Sequence, residues 1–398
     1  MDVVKTLNIP VKGCCGCTAC YCSCPTSAIQ MKPDQAGFVY PVIDSDLCCG
    51  CHKCEQSCPI LRPPELPENY ETAVIAQSCS GDVLNESTSG GFMDALCRYV
   101  AEQPNGYVTG VAFDENFMPK HKIVDSYHEA KAFRNSKYAQ SDMGKIFCDV
   151  KDLLEAGNTV LFIGTPCQTG GLKVFLKKGY ENLITADLIC RSVPSPKLWR
   201  AYLDWQEKRY RSRIKTVTCR KKTYGYHSGT LEIRFENGRK YAGSNRVDYY
   251  MKSFHGDICS RLSCYECSFR TRHRCTDFTV FDSWRPQQAT EPAITDNDRG
   301  YSNVLVHTTK GKEILGQLEE ISLHQSSPEK MLTVMGSMLE SQVQMKAGRD
   351  NFYTNLEKLG FEKTVKRYCK VTIKDRAIEA AKPILHTVKG FIHRSGKR

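Results

Sequence analysis

No stretch of this sequence comes near the roughly 18 consecutive apolar residues a membrane-spanning helix needs, and the best runs, such as Val160 to Ile163, are the length of strands. The first residues, Met1 to Val11, lack an uninterrupted apolar segment and a small-residue cleavage site, so no secretory leader is expected. A cytoplasmic, reducing location is the expectation that follows. Glycine and proline number 28 and 17 among 398 residues, which excludes collagen-like and low-complexity chains. With 41% hydrophobic and 25% charged residues, the composition is that of a soluble globular protein long enough for more than one domain. The ordered basic and aromatic modules of nucleic-acid readers are missing, so no nucleic-acid partner is expected. What the chain has in excess is cysteine, 22 residues of it, in a protein too large to need disulfides around a small core. In a reducing compartment such thiols bind metals or do redox chemistry.

Eleven of the 22 lie between Cys14 and Cys58. Cys14, Cys17, Cys20 and Cys24 form a C-x2-C-x2-C-x3-C run followed by Pro25; Cys48, Cys51, Cys54 and Cys58 repeat it before Pro59. This is the spacing of bacterial two-cluster ferredoxins. Three thiolates wrap one cubane on a tight loop, and the fourth, expected to be carried off by a short helix that the proline starts, ligates the other cluster. The expected sets are Cys14, Cys17, Cys20 and Cys58 for one [4Fe-4S] cluster, and Cys48, Cys51, Cys54 and Cys24 for the second. Zinc is the competing reading, but structural zinc pairs two separated C-x2-C knuckles and has no use for a fourth Cys-Pro. Cys15, Cys22 and Cys49 are extra to the pattern and read as packed or spare thiols.

Leu61 to Glu68 holds three prolines in six residues, which permits neither helix nor inner strand and marks a linker. Up to Tyr70 there are five basic and seven acidic residues, so the cysteine-rich segment is not the source of the formal +11. The source is the last 36 residues, Lys363 to Arg398, with 11 Lys or Arg against Asp375 and Glu379. Ile373, Ala377, Ile378 and Ala381 fall there at roughly helical spacing. A basic amphipathic tail can touch anionic lipid or an acidic partner; the plainer reading is a solvated helix packed by one face.

Between linker and tail, strand and helix patterns alternate as in an α/β core. Thr72 to Cys79 reads as a strand; Phe92 to Ala101 reads as a helix, with Ser87-Thr-Ser-Gly-Gly91 at its start, where free N–H groups can take an anion or a plain serine can cap. Ser141 to Ala156 reads as helical and Thr159 to Ile163 as a strand, which places Cys167 near a strand end, where α/β folds put ligands. Asp187 to Cys190 reads as a second strand ending in cysteine. Cys264 and Cys267 follow, and with Cys167 and Cys190 they make four thiolates, enough for a third cluster if they converge. Pro328 to Met345 reads as one core-packed helix without a catalytic role, as does the tail beyond it.

In order, Thr88-Ser-Gly-Gly91, Gly164-Thr-Pro-Cys-Gln168, Asp187-Leu-Ile-Cys190 with Pro194-Ser-Pro196, and Cys264-Tyr-Glu-Cys267 leading to Thr276-Asp-Phe-Thr279 and Asp282-Ser-Trp284 resemble the beta subunit of coenzyme F420 hydrogenases and dehydrogenases, from about Thr72 to Leu323. The resemblance implies FAD as well as iron–sulfur clusters. It implies that Ser89, Gly90 and Gly91 approach the FAD pyrophosphate, that Lys137, Ser141 and Thr165 lie near the flavin, and that Cys167, Cys190, Cys264 and Cys267 ligate a core [4Fe-4S] cluster. Arg191-Ser192 stands where the family usually has His-Gly, Phe281 where it has Gly, and Tyr226 where it has Trp; these departures weigh against a deazaflavin substrate. The expected fold is α+β: a small ferredoxin-like 2[4Fe-4S] domain (1–62), a Pro-rich linker (63–71), a mixed α/β flavin-binding core (72–325), and a C-terminal helical extension with the basic tail (326–398). The expected activity is an iron–sulfur flavin-dependent oxidoreductase, with a ferredoxin or other redox protein as partner and a small organic substrate. The alternative is an electron-transfer subunit that docks a partner oxidoreductase and has no substrate of its own. A redox-sensing regulatory protein is a third reading.

Overall fold

The computed structural model describes residues 12–395; the leader reading on the first eleven residues and the last three residues of the basic tail lie outside the described residues. Thirteen strands run in chain order: β1 (Ile29–Pro33), β2 (Val39–Ile43), β3 (Thr72–Ser78), β4 (Gly106–Phe113), β5 (Pro119–Val124), β6 (Thr159–Gly164), β7 (Leu183–Leu188), β8 (Ile214–Lys221), β9 (Thr230–Phe235), β10 (Lys240–Gly243), β11 (Phe278–Ser283), β12 (Tyr301–Val306) and β13 (Ile321–Ser326). Eight of them form one mixed sheet in the order β13-β3-β12-β11-β7-β6-β4-β5. Its centre, β11-β7-β6-β4, is parallel, and antiparallel strands close both edges. The central strands are nearly continuous apolar runs because helices cover both of their faces. On one face the helix Phe92–Ala101 buries Phe92, Leu96 and Val100 against Leu161, Ile184 and Phe278; on the other, Phe147, Phe162 and Leu172 pack together.

β8, β9 and β10 make a separate three-stranded antiparallel sheet whose inner face joins a large aromatic cluster of Trp199, Tyr202, Tyr250 and Phe352. β1 and β2 form a hairpin within the cysteine-rich segment. That segment is packed, not tethered: Phe38 enters the aromatic cluster, and Cys17 and Ala19 pack with Phe147 and Leu172. Residues 63–71 form neither helix nor strand, and Pro64 lies beside Gly170 of the helix Pro166–Leu176.

Several expected boundaries shift. The helix expected from Ser141 begins at Ile146, because Gly144 takes a left-handed φ of 47° and breaks the turn before it. The helix expected over Pro328 to Met345 is two, Pro328–Met335 and Ser337–Glu340, with Gly336 between them. In the cysteine runs the short helices, Ala19–Ser23 and Lys53–Gln56, come before the fourth cysteine and are not started by the proline after it. Pro25 and Pro59 instead sit in turns.

Candidate redox site

The two cysteine runs fold alike. In each, the glycine two residues after the first cysteine is left-handed, Gly16 at φ 71° and Gly50 at φ 67°, and so is the residue after the second cysteine, Thr18 at 66° and His52 at 55°. The repeat at residue level is therefore a repeat of backbone shape, a loop tight enough to turn three thiols inward. Burial pushes the Cys20 thiol far up, and the neighbouring thiols of Cys14, Cys58 and Cys54 add to it. Cys17 has Cys20 and Cys14 beside it, and Cys58 has Cys14 and Cys54. Cys14, Cys17, Cys20 and Cys58 thus share one locus, which brings a thiol of the second run to the first loop. The other set is looser and nearer the surface: Cys51 hydrogen-bonds Cys49, both are exposed, and Cys54 has Cys51 beside it. Cys48 is half-buried at the start of that loop, and Cys24 accepts from Ala28 N at 3.2 Å within its own turn.

In the core, the parallel strands deliver a second locus at their C-terminal ends. β6 ends at Gly164, and Thr165 caps the helix Pro166–Leu176 through a box with Gln168, so Cys167 falls in the first helical turn. β7 ends two residues before Cys190, while Cys264 rides on the short helix Leu262–Tyr265 and Cys267 follows it. Burial pushes the Cys190 thiol well up, helped by Cys264, Cys167 and Cys267; burial likewise pushes Cys264 up to about 12, with Cys267 and Cys167 beside it. Four thiols from three segments far apart in sequence therefore converge. Cys15 stands between the two loci, sharing one thiol hydrogen bond with Cys17 and another with Cys167.

Among the described residues no three Cys, His, Asp or Glu side chains are close enough to hold a single metal ion. Four thiolates on one zinc ion, each about 2.3 Å from it, stand about 3.8 Å apart. A cubane offers four separate iron corners, and its ligands stand wider than that. Thiols are the donors that such a group takes.

A cavity of about 1080 Å³ opens beside the core quartet. Cys190 and Thr165 belong to its wall, and the Thr165 hydroxyl lies 3.2 Å from the Cys167 sulfur, so cavity and quartet share a boundary. Ser89, Gly91, Lys137 and Ser141 line it as well. The helix Phe92–Ala101 starts at Gly91 with no side-chain cap, which leaves its first N–H groups to whatever enters. The volume exceeds that of an ordinary drug-sized pocket and suits a dinucleotide with a second ring.

Three expected residues do other work. Gly90 is absent from the cavity wall: a Cβ there would collide with Ala76 O and the backbone of Tyr301 and Ser302, and its N–H donates to Ser302 Oγ at 2.9 Å. Close packing of the loop on β3 and β12 requires the glycine. Lys137 spends its ammonium on three loop carbonyls, Ala132 O at 2.9 Å, Arg134 O at 2.7 Å and Asn135 O at 3.2 Å, and burial lowers it to about 7. Ser141 Oγ is engaged by His121 Nδ1 and Gln168 Nε2, at 3.0 and 3.1 Å.

The opposite wall was only partly visible in the sequence. Arg220 pairs with Asp282 at 2.6 Å, Tyr226 donates its hydroxyl to Asp282 at 3.0 Å, and Tyr226 stacks on Trp284 with centroids 4.8 Å apart. The Arg220 guanidinium lies 4.8 Å over the Trp284 ring. Lys222 ties the neighbouring loops through Leu84 O, Ser89 O and Arg299 O, at 2.6 to 2.8 Å, and burial lowers it to about 7. The tail, expected to be a solvated helix packed by one face, also reaches the site. Ile378, Lys382 and Leu385 of the helix Ile373–Ser395 line the cavity, anchored by Glu379, which accepts from Ser244 N and Oγ at 2.9 and 2.6 Å. No helix among the described residues is long and apolar enough to cross a membrane.

A mixed α/β core with converging thiols at the ends of its parallel strands, opening on a large cavity, has the build of a redox protein. Residues 157–330 match the family model for the C terminus of the coenzyme F420 hydrogenase/dehydrogenase beta subunit. The match contains all four core cysteines and none of the N-terminal ones. A solved chain from the xenon-derivatised F420-reducing [NiFe] hydrogenase complex of Methanosarcina barkeri is similar, with 17% identity, 75% of this chain and 91% of that chain covered, and a TM-score of 0.42. No curated protein matches the sequence.

Proposed function

We propose that the protein is an iron–sulfur flavoprotein oxidoreductase that exchanges electrons between its N-terminal thiol-bound clusters and an organic substrate held in the large cavity. The observation that carries this reading is the shared boundary: Cys190 and Thr165 stand both in the wall of the cavity and at the core quartet. When bound, [4Fe-4S] clusters carry single electrons and FAD pairs them into two-electron exchange with the substrate. Cys14, Cys17, Cys20 and Cys58 would hold one cluster, Cys48, Cys51, Cys54 and Cys24 a second, and Cys167, Cys190, Cys264 and Cys267 a third. The open N-terminus at Gly91, with Ser87, Thr88 and Ser89 on the cavity wall, supplies donors for a pyrophosphate. Tyr226 and Trp284 give a flat apolar wall for an aromatic ring. The helix Ile373–Ser395 shields one side of the cavity from water, and the exposed loop at Cys49 and Cys51 offers a contact to a redox partner protein.

Anaerobic purification followed by flavin, iron and sulfide analysis tests the reading. Bound FAD and about twelve irons per chain are expected from three four-iron clusters. Cys167→Ser should remove about four irons and leave the N-terminal ones. Absence of flavin overturns the flavoenzyme, and an unchanged iron content in the variant removes Cys167 from the ligands.

A further inference from the structure

Arg261 is among the largest fully buried side chains in the protein, 0% exposed, and it lies between the two thiol loci. Its Nε donates to Cys14 O at 2.7 Å, its Nη1 to Gln140 Oε1 at 2.9 Å, and its Nη2 to Val39 O at 2.9 Å and to the Cys14 sulfur at 3.7 Å. The guanidinium lies 4.2 Å over the ring of Tyr40. On its other side its charge reaches the thiols of Cys167 and Cys264, and Cys264 N donates to its carbonyl at 3.0 Å. Gly16 is cut to fit it: a Cβ there would come within 2.9 Å of Arg261 Nη1.

These contacts satisfy the donors of Arg261 but leave its charge unanswered. Two carbonyls, an amide oxygen and a thiol are all neutral, and no carboxylate among the described residues pairs with it. Arginine cannot shed its proton, and an isolated buried cation costs several kcal/mol, on the order of the stability of a domain. Such a residue persists where the folded, loaded protein places an anion beside it. A cubane held by four thiolates is that anion, and Cys14 is one of its expected ligands.

We infer that Arg261 is a positioning residue that compensates the charge of the cluster bound through Cys14 and raises its reduction potential, so that the first quartet can exchange electrons with the core quartet across Cys15. The inference rests on the function proposed above. Reduction adds one electron, supplied by the redox partner protein, to a group already negative; no bond breaks and no proton is required. A fixed cation and an N–H···S hydrogen bond favour that more negative state.

The test is an EPR-monitored redox titration of the loaded protein and of two variants, Arg261→Gln, which loses the charge, and Arg261→Lys, which keeps it. One cluster of the Gln variant should shift to a more negative midpoint while the others stay in place, and Lys should restore most of the shift. Full iron with unmoved midpoints in Arg261→Gln overturns the inference. Should that variant fail to load, wild-type protein grown with guanidino-15N arginine decides by pulsed EPR: a 15N coupling to one reduced cluster supports the inference, and its absence overturns it. A wild-type protein without iron overturns the proposed function itself, an outcome separate from iron-loaded clusters that ignore Arg261.

Discussion

At the scale of single residues, charge balance separates the side chains that shape the site from those that merely line it. Lys137 lines the cavity and Lys222 lies behind its wall, yet each gives its ammonium to three backbone carbonyls and acts as a tie for a loop. Arg220 and Asp282 are different. Their side chains are 13% and 17% exposed, they pair at 2.6 Å, and Arg220 Nη2 has no other partner, so the carboxylate is the counter-charge of a nearly buried guanidinium. Removing one partner of such a pair strands the other charge, at a cost of about 3 kcal/mol or more. Asp282→Asn should therefore lower the unfolding free energy by about that amount, read from the denaturant midpoint. Arg220→Met with Asp282→Leu, which removes both charges, should recover most of the loss. A single variant as stable as wild type would mean that solvent, not Asp282, balances Arg220.

At the scale of elements, what was legible in the sequence was what neighbouring residues encode. The twin C-x2-C-x2-C loops, the strand before Cys167 and the helix Phe92–Ala101 follow from local spacing and apolar periodicity, and each forms close to its expected place. The convergence of Cys167, Cys190, Cys264 and Cys267 could be suspected from the ordered motifs but not demonstrated by them. It depends on three separate connections that return to the C-terminal ends of the central parallel strands. The roles of Gly90 and Arg261 were not legible, because each answers to backbone or thiols more than 200 residues away. The same holds for the tail. Its helix read as amphipathic, but only the fold shows that Ile378 and Lys382 turn to the cavity, with Leu385 at its rim, while Ile373, Ile384 and Leu385 stay largely exposed. None of its residues whose side chains are described is fully buried, so removing the helix should move the melting temperature by only a few degrees. A chain ending at Val371 should fold but release bound flavin faster on dilution than the full chain. Equal release rates would show that the helix does not shield the site.

At the scale of the whole molecule, buried imidazoles give stability a dependence on pH. Burial lowers both His121 and His307 to about 3, below the 6.5 of an unfolded histidine. Between those values the unfolded chain takes up two protons that the folded chain refuses, so this stability is present above pH 6.5 and is lost as pH falls toward 3. Each histidine contributes a slope of about 1.4 kcal/mol per pH unit across the window. Asp187 works in the opposite sense. Burial raises its carboxyl to about 6, so its contribution is present below the unfolded value of 3.8 and is lost as pH rises through 6. From pH 6 down to 4 these two histidines and His255, which burial lowers to about 4, outweigh the single aspartate, leaving a net loss of about two histidines' slopes. Other groups titrate in the same range, so the comparison that isolates His121 is between wild type and His121→Asn, measured by denaturant midpoints from pH 7 to 5. The Asn side chain can still meet the Ser141 hydroxyl, which lies 3.0 Å from His121 Nδ1, without offering a titrating ring. The variant should lose stability less steeply by about 1.4 kcal/mol per pH unit below pH 6.5. Parallel curves for the two proteins would mean that the His121 ring is protonated within the folded protein, and that its burial against Phe162, with centroids 5.9 Å apart, does not exclude the charge.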